Sequence, residues 1–150
     1  MSKKKLTFLS IILLGIPSAA TFFIVYKINQ SQLKENSELF AIAFSERFFS
    51  SWDFDLFLDS CSIEYCNKLP EQDFLAMINN MKRIGTLEEI SAVQGDLNEY
   101  DIFKREKVTA SFQLDSVFKN DSAETYIELV QENNTWKVNN MVINSNFLAD

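Results

Sequence analysis

Histidine is absent from the 150 residues, and glycine, proline and cysteine are scarce, at 3, 2 and 2. Without imidazole there is no histidine general base, no Ser-His-Asp triad and no histidine-bearing metal site. The only glycines, Gly15, Gly85 and Gly95, are too widely spaced for a dinucleotide fingerprint or a phosphate-cradling loop. Lysine and arginine are outnumbered 14 to 21 by acidic residues, for a net charge of −7. That balance argues against nucleic acid as a partner, because phosphate binding needs a basic face. Internal repeats and low-complexity tracts are missing. What is abundant is phenylalanine: 14 residues in a chain that is 47% hydrophobic, ample for a packed core and contrary to disorder. The length suits one domain with an appendage.

The appendage is N-terminal. Leu6 to Tyr26 is a run of 21 residues without a charge, preceded by Lys3-Lys4-Lys5 and followed by Lys27. As a helix it would span roughly 31 Å, close to the hydrocarbon thickness of a bilayer. All acidic residues lie at or beyond Glu35. The positive-inside rule then predicts a cytoplasmic tail over 1–5, a transmembrane anchor over 6–28 and an extracytoplasmic domain over 31–150. The rival reading is a cleaved signal peptide, with Ser18-Ala19-Ala20 as the cleavage region and a secreted or periplasmic product. It would leave an exposed apolar stub, TFFIVY, at the new N-terminus. Residues 31–150 keep 10 basic residues against all 21 acidic ones, a net charge of −11. Such a domain is repelled by anionic headgroups and stays soluble beside a membrane. An acidic surface is ordinarily a solvated one; a basic partner is the sharper alternative.

Cys61 and Cys66 form the only cysteine pair, in CSIEYC. Outside the cytoplasm this spacing predicts a disulfide that pins a turn between two helices, with two free thiols as the alternative. Four intervening residues do not suit a redox pair, and two thiols alone do not make a metal site.

The domain reads as helices first, then strands. Phe40, Phe44 and Phe48 recur at i+4 within 31–50, a segment without Pro or Gly, with Lys34, Glu35, Glu38, Ser45 and Glu46 on the other side. Trp52–Asp59 reads as a short second helix. Pro70 followed by Glu71, Gln72 and Asp73 starts a third, with Phe74, Met77, Ile78 and Met81 as its buried stripe and Gly85 as its stop. After Gly85 the period changes to two. Residues 86–100 make a strand bulged near Gly95. In 107–118, Val108, Ala110, Phe112, Leu114 and Phe118 alternate with polar residues. In 122–132, Tyr126 and Val130 face one way and Ile127 and Leu129 the other. Asn133-Asn134 is a hairpin turn leading to the last strand, 135–143. The expected fold is α+β: an N-terminal transmembrane helix, then three helices packed on a curved antiparallel sheet of about four strands.

Motifs for chemistry are few. Asp53-Phe54-Asp55 is a D-x-D triplet, expected as a solvated helix start. Ser116-Val117-Phe118-Lys119 matches S-x-x-K, yet on a strand its ends face opposite ways. Tyr100-Asp101 sits in a turn-like segment, and Trp136 is expected to cap the core. No catalytic residue, metal ligand or cofactor is assigned.

Ser51-Trp52-Asp53-Phe54-Asp55 at the second helix, and Asn133-Asn134-Thr135-Trp136-Lys137-Val138 followed by Met141-Val142-Ile143 at the last hairpin, resemble the nuclear transport factor 2-like superfamily, the cone-shaped α+β fold. The resemblance covers about residues 31–147. It implies a sheet folded around a cavity used for small ligands, dimerisation or partner binding. The enzymatic branches use Asp-His or Asp-Tyr constellations in the cone, and the histidine is missing here. The bitopic scaffold subunits of type IV secretion and conjugation machines share the tail, span and external cone, although this chain is shorter. The expected function is a non-enzymatic interaction module, binding a protein partner or itself. The alternative is a small-ligand binder or weak acid/base enzyme, which needs an inward Asp or Glu of raised pKa.

Overall fold

A computed structural model of the chain describes the backbone of residues 3–68, 70–98 and 107–148, with side chains from residue 21 onward except 22 and 23. The chain divides into two units, Met1–Glu35 and Asn36–Asp150, and helix α1, Lys3–Ser51, contributes to both.

In the first unit the backbone is helical from Lys3. Among its described side chains, Ile24, Val25 and Ile28 are exposed, and Gln30 Nε2 donates to the Tyr26 hydroxyl at 2.6 Å. Among the described residues no helix is long and apolar enough to cross a membrane. Most of the expected anchor over 6–28, the tail over 1–5 and the cleavage region at Ala20 lie outside the described side chains.

The second unit is α+β, with helices packed on a four-stranded antiparallel sheet of order β1-β2-β3-β4. The α1 stripe facing the core is Ser37, Ala41, Phe44, Ser45, Phe48 and Phe49, spaced by three and four as an amphipathic helix requires. Ser45 belongs to it rather than to the polar side, because one turn on from Ala41 it sits in the middle of the buried arc. Leu39, by contrast, is exposed.

The helix ends without a glycine. Ser50 and Ser51 turn their hydroxyls back onto the carbonyls of Glu46 and Arg47. Trp52 then takes a left-handed backbone (φ 53°), its N–H donating to the Phe48 carbonyl. That conformation costs a non-glycine residue about 1–2 kcal/mol. The indole offsets it: it is buried, meets Phe48 edge-on, Phe49 at a tilt and Phe118 in a stack, and donates through Nε1 to the Gly85 carbonyl at 3.0 Å.

Among the described residues four α-helices precede the sheet, one more than the sequence suggested. Asp53 caps α2 (Phe54–Ser60) by accepting the Asp55 N–H at 2.9 Å. The turn expected between the cysteines is helix α3 (Ile63–Lys68), started by buried Ser62, whose hydroxyl accepts the Tyr65 N–H. Pro70 sits at the cap position of α4 (Glu71–Met81), just ahead of the helix rather than in its first turn. A 3-10 turn, Lys82–Ile84, leads to Gly85 at φ 93°, where a side chain would be strained.

Strand β1 (Leu87–Leu97) is bulged, but next to Glu88 and Ser91 rather than at Gly95. β2 (Thr109–Phe118) alternates without a break, burying Ala110, Phe112, Leu114, Ser116 and Phe118. β3 (Ser122–Glu132) turns Ala123, Thr125, Ile127 and Leu129 inward and Tyr126 outward. Asn133 and Asn134, at φ 50° and 62°, form the tight turn to β4 (Thr135–Asn144). In β4 a bulge at Asn139, between the Glu128 and Leu129 pairings, shifts the phase by one residue. Trp136, Val138 and Met141 therefore all reach the core, which strict alternation forbids. The β4 edge is covered where Cys61 bridges Val138 and the Ser62 N–H donates to its carbonyl.

Candidate functional site

The interior, where a cone cavity would lie, is filled with rings. Phe48 stands 5.4–5.5 Å, centroid to centroid, from Phe44, Phe49, Trp52 and Phe57. Among the described residues no carboxylate is buried; the buried polar side chains are Ser37, Ser45, Ser62, Ser116 and Thr125. The hydroxyls of Ser45, Ser116 and Thr125 have no hydrogen-bond partner. An inward acid poised for proton transfer is thus not found among the described residues.

The motif residues scatter. Asp53 is occupied in capping α2, and Asp55 and Asp59 are exposed. Ser116 faces the core while Lys119 lies exposed beyond β2, so the S-x-x-K ends do not meet. Trp136 is buried under the sheet edge. Tyr100 and Asp101 lie outside the described residues. No cluster of three potential metal-ligating side chains occurs among the described residues.

Cys61 and Cys66 are a disulfide-capable pair, with Cα atoms 6.0 Å apart, inside the range a bridge requires. Cys61 is buried at the Val138 bridge, and Cys66 is half-buried on α3. A bond here closes a short loop, so reduction, or Cys66→Ser, should cost roughly 2 kcal/mol in the chain-entropy model. Denaturation midpoints with and without reductant measure the cost. Finding both thiols free by non-reducing mass spectrometry would remove the bond altogether.

Two surfaces stand out among the described residues. The first is the outer face of the sheet. Glu89, Asp96, Asp115, Glu124 and Glu128 share it, and Asp115 pairs directly with Glu124 across β2 and β3. Like charges so placed repel. Each is held on its own strand: Gln113 Nε2 donates to Asp115 at 3.3 Å and the Tyr126 hydroxyl to Glu124 at 3.0 Å. The Glu124 hydrogen bond, with smaller contributions from burial and the two carboxylates' charge, raises the Tyr126 pKa. Asp115 and Glu124 floor an open depression of about 720 Å³ that reaches Ser122 and Asn144.

At its rim, Asp121 ties down the C-terminal turn Asn146–Leu148. Its carboxylate accepts from the Ser145 hydroxyl and the Phe147 N–H, and Arg83 lies over the Phe147 ring. The Ser145 hydrogen bond first, then those from the Phe147 and Ser122 amides, hold Asp121 below its ordinary value of 3.8. A lowered folded-state pKa gives an attachment complete above the ordinary carboxylate value and lost as pH falls through the folded one. Acidification below 3.8 should therefore release this turn, seen as a shift of the Phe147 amide resonance. Asp121→Asn should weaken amide protection there at neutral pH. A Phe147 resonance that ignores both would refute the attachment.

The second surface is a groove of about 350 Å³ between α2, α3 and α4. Its floor is Phe57 and Phe74, centroids 4.2 Å apart, with Phe54 beside Phe74 at 5.4 Å. Leu58 and Cys66 wall it, and Asp55 and Glu71 are the charged residues among its described lining. Neither surface was visible in the sequence: the sheet face draws on strands far apart in the chain, and the groove, although confined to residues 54–74, exists only once three short helices pack together. Comparison with protein-family models, with curated proteins and with solved structures returns no match to this chain.

Proposed function

We propose that this chain is a single-pass, membrane-anchored interaction module without catalytic activity. Residues 1–5 lie in the cytoplasm, 6–28 span the membrane, and 31–150 form an extracytoplasmic domain of the nuclear transport factor 2-like type. The observation that carries the reading is the uncharged run Leu6–Tyr26 behind three lysines, joined to a domain of net charge −11. The filled interior supports a binding role on the outside of the domain over ligand capture within it. The described carboxylates, all at least partly exposed, offer no desolvated acid for the enzymatic alternative. The partner is a protein at the membrane, in the manner of a scaffold subunit of an envelope complex, or a second copy of the chain.

Protease added outside intact cells should digest residues 31–150 and spare a membrane-embedded N-terminal fragment. Full protection of the domain would overturn the topology. A chain whose N-terminal sequencing begins at Thr21 would replace the anchor with a cleaved signal.

A further inference from the structure

We infer that the groove between α2, α3 and α4 is a docking slot for one bulky apolar side chain carried on a lysine- or arginine-bearing segment of a partner protein. This deepens the interaction-module reading and rests on it. The groove is small, at the bottom of the roughly 300–1,000 Å³ range of small-molecule sites, and suits a side chain better than a cofactor. Its floor is already packed, since Phe57 and Phe74 are 1% and 2% exposed and their tilted rings lie in contact. An incoming ring or branched chain would pack on Phe54 and Leu58, the accessible apolar lining, held in place by the buried pair behind them.

The apolar surface continues past the rim. Leu58 is 43% exposed, Leu75, four residues on from Glu71 on the same face of α4, is 39% exposed, and Ile63 at the start of α3 is 70% exposed. These exposed apolar side chains lie on the three helices that line the groove, where a monomer gains nothing by showing them to water.

The charge selects the occupant. Asp55 and Glu71 stand at the rim, in the first turns of α2 and α4, and among the described residues no basic one lines the groove. The nearby Lys68 is engaged by Glu64 at 2.7 Å. With a domain of net charge −11 behind it, the rim attracts a cationic segment and repels an acidic one, including most of a second copy of this domain. The outer sheet face is acidic too and exposes Tyr126 and Val142, but its depression is wider and more open than the groove and encloses a side chain less.

The test uses the full chain in zwitterionic nanodiscs, with empty discs as the blank. The probe is a fluorescein-labelled peptide of about ten residues, one Phe flanked by lysine pairs in a Ser/Gly background. Anisotropy should show binding that weakens with salt. Leu58→Asp and Glu71→Lys, both at exposed positions, should each weaken it at least tenfold with unchanged circular dichroism. The same peptide with Phe→Ser, or with every Lys→Glu, should lose binding by a similar factor.

Equal binding of the Phe→Ser peptide would overturn the slot, since charge alone would then suffice. Equal binding of the Lys→Glu peptide would overturn the choice of a basic partner. Loss of binding in Glu124→Lys or Glu128→Lys but not in Leu58→Asp would move the partner to the sheet face and overturn the slot. Self-association abolished by Leu58→Asp would overturn it in favour of a second copy. No binding up to millimolar peptide would also overturn the slot, while the protease experiment decides the interaction-module reading independently.

Discussion

Replacing Phe48 with alanine should lower the unfolding free energy by about 3–5 kcal/mol. The ring is fully buried and touches four others, from α1 itself, from the left-handed Trp52 and from α2. Deleting it removes its transfer free energy and leaves a cavity whose walls cannot collapse, because Trp52 is pinned to Gly85 and Phe57 to Phe74. Small domains are stable by only about 5–15 kcal/mol, so this one substitution consumes a large fraction. Denaturant titration followed by tryptophan fluorescence should show a lower midpoint with an unchanged slope. Leu39→Ala on the same helix is the control: Leu39 is 57% exposed, and its loss should fall within about 0.5 kcal/mol. Equal effects at the two positions would refute the packing described.

Gly95→Ala should cost about 3 kcal/mol, at the upper end for overpacking. Gly95 pairs with Phe112 in β2. A β-carbon there would overlap the Ser111 carbonyl oxygen, and would lie 2.5 Å from Phe112 Cδ1 and 2.8 Å from its Cα. Two of these are backbone atoms, so no rotamer change relieves the conflict and β1 must move off β2. Hydrogen exchange should report it locally, with amide protection lost over Val93–Leu97 before β3 is affected. Gln94→Ala, at the exposed neighbour, should be close to neutral. A stable, fully protected Gly95→Ala variant would show that the two strands do not approach so closely.

Both predictions concern features the sequence only half discloses. The Phe40–Phe44–Phe48 row announced a helix with a buried face, but the burial of Ser45 depends on where that face meets the rest of the core. Gly95 signalled an irregular strand. The bulges instead fall next to Glu88 and Ser91, and the glycine serves to make room for Phe112. Helix α3 had one local signal, the Ser62 hydroxyl ahead of Ile63, masked by the expectation of a disulfide-pinned turn. The groove had none, because Phe54, Leu58, Cys66 and Phe74 converge only once three short helices are packed.

By itself the sequence determined the uncharged N-terminal run, the acidity of residues 31–150, the helices-then-strands order, the inward set of β2 and the Asn133-Asn134 turn; in β3, where alternation puts Tyr126 and Val130 on one face, Tyr126 is exposed and Val130 is buried. These are one-dimensional quantities: charge counts, periods of 3.6 and 2, and residues that favour or forbid particular backbone angles. Only the tertiary structure decided that Trp52 ends α1 in a left-handed conformation, that Asn139 is extruded so three β4 side chains reach the core, and that the interior is packed with rings. The physical reason is the same each time. A local conformation that costs about 1–2 kcal/mol is held by burial and hydrogen bonds supplied from residues tens of positions away, and no local pattern records them.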